Sequence, residues 1–470
     1  MCSEKLFRPF IRPMFNSHCG GIRLDEVSLM KRIGALLLCG ILLLPAAGAS
    51  GTPWPAWAAE ALAWGREKSV SRAFLASPGQ RLTRGAVARL LYESAGQPAA
   101  HEECPFSDVS EKDAAAVGWA AGQGYLTGVG DGTYEPGRPV TRQEFAAILW
   151  RQAGTPEVPV QGLERFGDAG TVSEWARDAV LWCQQAGVMA GRSGDKLAPE
   201  DTITTAEALV MLERAAGLPD VGQLRDDLEI LAAHHRPVGS QGEADAVRYL
   251  RDRFEEMGYS VTLQPYTDGQ GRTGHNVAAV KAASVPDADI LVLSAHHDSV
   301  PTAYGANDNA SGVAALLYTA EALRNVPTDT EVRFLSFTDE ENGKNGSRTY
   351  TASLTEEERT RIVGAIQFDM LGGLGSTGTL VCTVDGEANW VSDLLQKKNP
   401  GLESGVETAS DHTSFQLSGI PAVLLMQRGR GYLYHSAADT AEQLDLYAIA
   451  AAADSAAAAA EEICSADTPS

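Results

Sequence analysis

Cysteine is scarce and unpatterned in this chain, with seven in 470 residues. Three fall in the first 49 positions. The other four, Cys104, Cys183, Cys382 and Cys464, lack the spacing of a disulfide framework or of a cysteine-bound metal, and at most one disulfide is left open. Positive charge is short as well. Against 61 Asp and Glu stand 38 Lys and Arg, a net of -23, which excludes nucleic acid and an anionic lipid surface as partners. Long apolar runs are missing apart from 33–44, and that run is too short to span a bilayer comfortably. Met30-Lys31-Arg32 precedes it and Ala47-Gly48-Ala49 follows, the three parts of a secretory signal peptide. Residues 1–49 are therefore read as a leader, with Met30 as an alternative start, and the exported chain is expected to have no membrane span.

What is present begins with a repeat. The length is enough for two or three domains, and a 44% hydrophobic content is ample for packed cores. Pro105-Phe106-Ser107-Asp108-Val109 opens a unit that runs through one helical stretch, a turn, and a second helix in VTRQEFAAILW. Arg165-Phe166-Gly167-Asp168 opens the next, and a worn copy with GQRLTRGAVARLLYESAG precedes both. Trp64, Trp119 and Trp182 align across the copies, 55 and 63 residues apart. The expectation is an all-α array of three units at about 54–97, 104–154 and 164–217.

These units resemble the S-layer homology (SLH) domain, which implies attachment of an exported protein to the bacterial cell wall or surface layer. In that family an Ile-Thr-Arg-Ala-Glu-like segment helps form pockets for an acidic wall polysaccharide. The matching segment here is Val140-Thr141-Arg142-Gln143-Glu144. Unit one keeps Arg84 but has Ala86 in the Glu place; unit three has Thr205 in the Arg place and keeps Glu207. One complete pocket is expected, in unit two, where Arg142 pairs with a ligand carboxylate beside Glu144. The plain alternative makes Arg142 a solvated helix-start residue.

AGLPD at 216–220 marks a boundary, and 221–465 reads as a separate α/β domain. Strands are predicted near 260–266, 276–282, 290–295, 331–337, 362–368, 379–383 and 421–427, with helices between them and an alanine-rich helix from 446 to 464. The expected architecture is a mixed, mostly parallel sheet with helices on both faces.

The centre of this half is 294–312, SAHHDSVPTAYGANDNASG, between a buried strand and a helix. His and Asp at the C-terminal edge of a parallel sheet suit zinc or another divalent metal, and with no cysteine nearby an open site is favoured over a closed structural one. A strand-to-helix loop in which Asp308 merely caps the helix is the bland reading. Other strand ends add to the set. Asp339-Glu340-Glu341 follows 332–337, Asp369 closes 362–368, and Tyr434-His435 follows 422–426. Strand alternation points His296 and Asp298 one way and His297 the other, toward packing.

AHHDS, GANDNASG, TDEENGKNGS, FDMLG and YHSAADT, in this order, resemble the co-catalytic zinc aminopeptidases of the aminopeptidase Y and bacterial leucyl aminopeptidase type. The resemblance runs from about Leu224 to the end and includes HRPVGSQGEADAVRYL and SDHTSFQLSGIPA. It implies two Zn²⁺: one on His296 and Asp369, one on Glu341 and His435, with Asp308 bridging. It also implies Glu340 as general base, Asp298 behind His296, and Tyr434 at the oxyanion. Asp411 and His412 are expected beside the site or against substrate, and Asp439 to brace the His435 loop. The implied reaction removes N-terminal residues from peptides. A carboxypeptidase or a one-zinc cyclase on the same fold is an alternative, as is a non-catalytic wall-binding protein.

Overall fold

The structure, a computed structural model, describes residues 53–465 apart from 100–102, 157, 159–161, 193–194, 430 and 432. The expected leader at 1–49, with Met30, lies outside the described residues. Three helical units come first: α1 (Ala59–Glu67) and α2 (Arg84–Ser94), α3 (Glu111–Gly122) and α4 (Arg142–Gln152), α5 (Arg177–Gln185) and α6 (Thr205–Ala216). Thr83, Thr141 and Thr204 cap α2, α4 and α6, each hydroxyl accepting the N–H three residues on. Glu144 and Glu207 complete capping boxes; Ala86, at the same place in α2, has no group to do so.

The residues just before these caps close the units into a ring. Leu82 N–H donates to Ile203 O (3.0 Å), Ile203 N–H to Val140 O (2.9 Å), and Val140 N–H to Leu82 O (3.0 Å). The worn first unit is thus bonded like the other two. All three share one apolar core, with Val87, Leu90, Phe145, Leu149, Leu209 and Leu212 buried in it. Each such side chain contributes about 1.5–3 kcal/mol by leaving water.

After α7 (Gly222–Leu231) and α8 (Gln241–Glu256) come eight strands: β1 (Ser260–Thr267), β2 (Thr273–Lys281), β3 (Ile290–His296), β4 (Glu331–Phe337), β5 (Ile362–Phe368), β6 (Thr379–Thr383), β7 (Glu403–Val406) and β8 (Ala422–Gln427). They form one mixed sheet in the order β1-β2-β4-β3-β5-β8-β6-β7. The middle four, β4-β3-β5-β8, are parallel, and antiparallel pairs flank them. Strand β3 is buried along its whole length. Its Leu291, Leu293 and Ala295 join the core under α9 (Ser311–Leu323) and α12 (Leu446–Ser465). Ile290 and Val292 join the opposite core, with Tyr350 of α10 (Asn345–Ser353) and Phe415 of α11 (His412–Leu417). A strand covered on both faces needs the near-continuous apolar run seen here. The fold is the expected mixed sheet with helices on both faces.

Strand β7 was not expected from the sequence. It is four residues long, polar and mostly exposed at a sheet edge. All four cysteines among the described residues are free thiols, so the disulfide left open does not form among them. Among those residues no helix is long and apolar enough to cross a membrane. The parallel middle of the sheet brings the C-terminal ends of β3, β4, β5 and β8 to one edge, where open α/β sheets bind ligands.

Candidate metal centre

At that edge His296 ends β3, Glu340 and Glu341 follow β4, Asp369 follows β5, and Tyr434-His435 lies beyond β8. Asp308 comes from the loop between β3 and α9. His296 Nε2 is 3.3 Å from Asp308 Oδ1 and 3.4 Å from Asp369 Oδ1. His435 Nε2 is 3.2 Å from Asp308 Oδ2 and 2.9 Å from Glu341 Oε2. Two three-residue clusters therefore share Asp308, one carboxylate oxygen to each. His296 Nε2, Asp369 Oδ1, Glu341 Oε1 and His435 Nε2 are buried without a hydrogen-bond partner. Leaving such atoms unpaired is costly, and a divalent cation in each cluster would satisfy them. Imidazole and carboxylate donors without a thiolate fit zinc in an open site.

The electrostatics agree. Burial alone would lower the His296 imidazole, but Asp369, Asp298 and Asp308 outweigh it and hold it well above its ordinary value. Burial and Asp308 push Glu341 up to about 8. Carboxylates packed this closely need positive charge between them.

Asp298 ties two strand ends together. Its Oδ1 is 3.4 Å from His296 Nδ1, and its oxygens accept the Glu340 N–H (3.0 Å) and the Glu341 N–H (3.2 Å). Asp439, expected at the His435 loop, reaches the loop before α9 instead: it accepts the N–H groups of Asn307 (2.7 Å) and Asp308 (3.2 Å). Ser410, which sequence reasoning passed over inside SDHTSF, donates to Asp369 Oδ2 at 2.6 Å.

Glu340 belongs to neither cluster. With Asp308, Asp369, Met370 and Tyr434 it lines a small open cavity. Burial, reinforced by Asp411, Asp369 and Asp298 against the pull of His296, holds its carboxyl well above the usual range. The Tyr434 ring stacks on His435 with centroids 3.7 Å apart.

Asp411 and His412 are buried outside both clusters. Asp411 accepts Gln367 Nε2 (3.3 Å), and burial pushes it up to about 7. His412 Nε2 sits 2.8 Å from Glu407 O, and burial lowers its imidazole to about 4. His297 turns away, its Nδ1 2.9 Å from Ser336 Oγ. Asp339 accepts the side-chain amides of Asn342 and Asn345 and takes no part in the clusters.

The stretch 276–460, which holds every one of these cluster residues, matches the sequence model of Peptidase family M28. Residues 276–460 carry a Peptidase family M28 domain. The S-layer homology domain matches 105–146 and 165–209. Aminopeptidase YwaD of Bacillus subtilis (strain 168) is 35% identical over 169 residues, 34% of this chain and 36% of that protein. Leupeptin-inactivating enzyme 1 of Streptomyces exfoliatus is 32% identical over 209 residues, 41% of this chain and 45% of that protein. The chain thus spans less than half the length of these relatives. An aminopeptidase from Aneurinibacillus sp. strain AM-1 superposes with a TM-score of 0.50 at 25% identity, over 52% of this chain and 94% of that one. A zinc aminopeptidase from Bacillus subtilis shares the fold of the M28 half, with a TM-score of 0.51 at 19% identity over 54% of this chain and 97% of that one.

In the SLH half the expected pocket is not where the motif suggests. Arg142 and Glu144 are two residues apart on α4, so their side chains leave the helix in nearly opposite directions. Arg142 reaches forward into unit three. It donates from Nη1 to Glu207 Oε1 (3.0 Å), from Nη2 to Ala190 O (2.8 Å) and from Nε to Leu197 O (3.0 Å). Arg84 does the same toward unit two, with Nη2 to Thr127 O (2.5 Å) and Nε to Tyr134 O (2.7 Å).

Glu144 lies in the Arg84 groove, held by Arg138 at 2.7 Å. The grooves therefore lie between units. One is lined by Arg84, Glu144 and Trp175, the other by Arg142, Glu207 and Trp57. The single pocket expected within unit two is replaced by two grooves, each with an arginine from one unit and a glutamate from the next.

Proposed function

We propose that this chain is a two-zinc aminopeptidase, exported and held at the bacterial cell wall by its SLH grooves. The observation that carries the catalytic part is Asp308, whose two oxygens face two different imidazoles at 3.3 and 3.2 Å. On this reading His296 and Asp369 hold one ion, Glu341 and His435 the other, and Asp308 both. Bound zinc supplies Lewis acidity toward the scissile carbonyl and acidifies a water.

The chain's own groups do the rest. Glu340, outside the ligand set and with a raised proton affinity, takes the proton of the attacking water and hands it to the leaving amine. Asp298, whose Oδ1 lies 3.4 Å from His296 Nδ1, favours the tautomer with the proton on that nitrogen and leaves Nε2 for the ion. The Tyr434 phenol donates to the oxyanion. The cavity beside Glu340 would take the end of a peptide. Its carboxylates, Asp308 and Asp369 among them, suit a free α-ammonium group.

For the wall-binding part, support comes from where the repeats diverge. At the third interface Thr205 stands in the Arg place, Ala86 in the Glu place, and Lys112 in the place of Trp57 and Trp175. Three departures in three different units fall on one groove, while the other two keep arginine, glutamate and an exposed tryptophan. Two grooves are then the polymer sites, with Arg84 and Trp175 open to the sugar in one and Trp57 in the other, where the buried Arg142 holds the groove wall. Zinc analysis of the purified chain, with hydrolysis of aminoacyl and N-blocked peptides, tests the catalytic half. A chain without zinc, or one that prefers blocked peptides, contradicts it.

A further inference from the structure

The segment HRPVGSQGE, 235–243, carries none of the cluster residues, yet it holds two of the most deeply buried charges in the chain. Arg236 is 1% exposed and Glu243 2%. A buried guanidinium ordinarily sits on a carboxylate. The Arg236 fork instead donates to backbone carbonyls: Nε to His297 O (2.7 Å), Nη1 to Leu231 O (2.5 Å) and Tyr304 O (2.7 Å), and Nη2 to Gly305 O (2.8 Å). Its own N–H donates to Ser299 Oγ at 3.0 Å. His297, Ser299, Tyr304 and Gly305 all belong to the loop that runs from His296 to Asp308.

That loop is packed onto the fork without slack. Gly305 has φ +63°, and a Cβ there would meet Asp308 O at 2.3 Å and Arg236 Nη2 at 3.1 Å. Glu243 holds the neighbouring strand end. It accepts the Thr338 hydroxyl, just past β4, and the Gly239 N–H at 2.5 Å, while its Oε1 is 3.8 Å from His297 Nε2. One short segment thus grips both the loop with His296, Asp298 and Asp308 and the turn into Glu340 and Glu341.

We infer that Arg236 is a positioning residue of the metal centre, whose fork sets the span between the His296–Asp298 end and Asp308. The inference rests on the two-metal reading above. A planar guanidinium serves several carbonyls at once from a fixed frame; an ammonium is a compact point that cannot reach both ends of the loop together. The charge of Arg236 also lies behind an acidic site, where Asp298, Asp439, Asp308 and Glu341 are the carboxylates whose field reaches it.

The test is made on the full chain with Arg236→Lys and Arg236→Met, and with Leu395→Ala, a buried core change on another helix. Zn²⁺ affinity is read by competition with a chromophoric chelator, beside the melting temperature of the zinc-free protein, kcat and KM. Arg236→Lys is expected to melt below wild type, because buried carbonyls lose their donor, to bind Zn²⁺ about 10–100-fold more weakly, and to lose kcat with little change in KM. Leu395→Ala lowers the melting temperature and keeps its zinc affinity. If Arg236→Met does not fold, the Lys variant still decides. Wild-type zinc affinity in Arg236→Lys overturns the inference. So does an equal loss of affinity in Leu395→Ala, which would make the effect one of general stability. Wild-type protein that binds no zinc gives a different signature and overturns the two-metal reading, and this inference with it.

Discussion

Arg142 and Glu207, from the second and third repeats, form an ion pair at 3.0 Å with the arginine only 3% exposed. The residue read from the motif as a ligand contact is instead a buried join between repeats, and it shapes its groove from behind. Arg142→Ala should cost about 1.5–3 kcal/mol by stranding its acceptors, as well as weakening wall binding. Arg84→Ala should weaken wall binding comparably, because its groove has the same design. The double variant should lose sedimentation with purified wall fragments, while Thr205→Ala sediments as wild type does. Undiminished binding by the double variant would refute the two-groove assignment.

Substrate polarity gives a second prediction. A free N-terminal amine is cationic or nearly so, and the cavity proposed to receive it is lined by Asp308, Glu340 and Asp369. Acetylating the N-terminus of a good peptide substrate should abolish its cleavage in a chromatographic assay. Hydrolysis of the blocked peptide at the same rate would point to an endo- or carboxypeptidase.

Asp439 offers a third. Its carboxylate satisfies the N–H groups of Asn307 and Asp308. Asp439→Ala leaves both buried donors unpaired, at about 1–3 kcal/mol each, and frees Asp308 to shift. Both the melting temperature and the zinc content should fall. A fall in melting temperature with full zinc content would show that Asp308 is held by other means.

The adjacent histidines give a fourth. His296 faces Asp308 and Asp369, whereas His297 faces Ser336 and Glu243 behind the strand. His296→Ala should lose zinc and turnover together. His297→Asn should keep zinc and lose about 1–3 kcal/mol of stability, read by thermal melting. The opposite pattern would put the β3 register out by one residue.

What could be read from the sequence was the chemistry that is local. His296, Glu341 and Asp369 each sit beside an apolar run that marks a strand, so their shared edge followed from a parallel sheet. The partners that hold them were not legible. Arg236 meets His297 61 positions away, and Asp439 meets Asn307 across 132; nothing in one sequence pairs such residues. Strand β7 carries no hydrophobic signal because it packs almost nothing. Arg142 and Glu144 are neighbours in a motif, and only the helical turn between them reveals that they serve different grooves.

The most direct test of the account compares two adjacent glutamates. Glu341 lies 2.9 Å from His435 Nε2 inside a ligand cluster, while Glu340 lines the cavity outside both clusters. Zinc per chain, by elemental analysis, and turnover are measured for wild type, Glu340→Gln and Glu341→Gln. The account predicts two zinc ions in wild type and in Glu340→Gln, with turnover in the latter down by about 10²–10⁴. Glu341→Gln should lose zinc from one cluster. Equal zinc loss in both variants, or a Glu340→Gln protein that turns over like wild type, would contradict it.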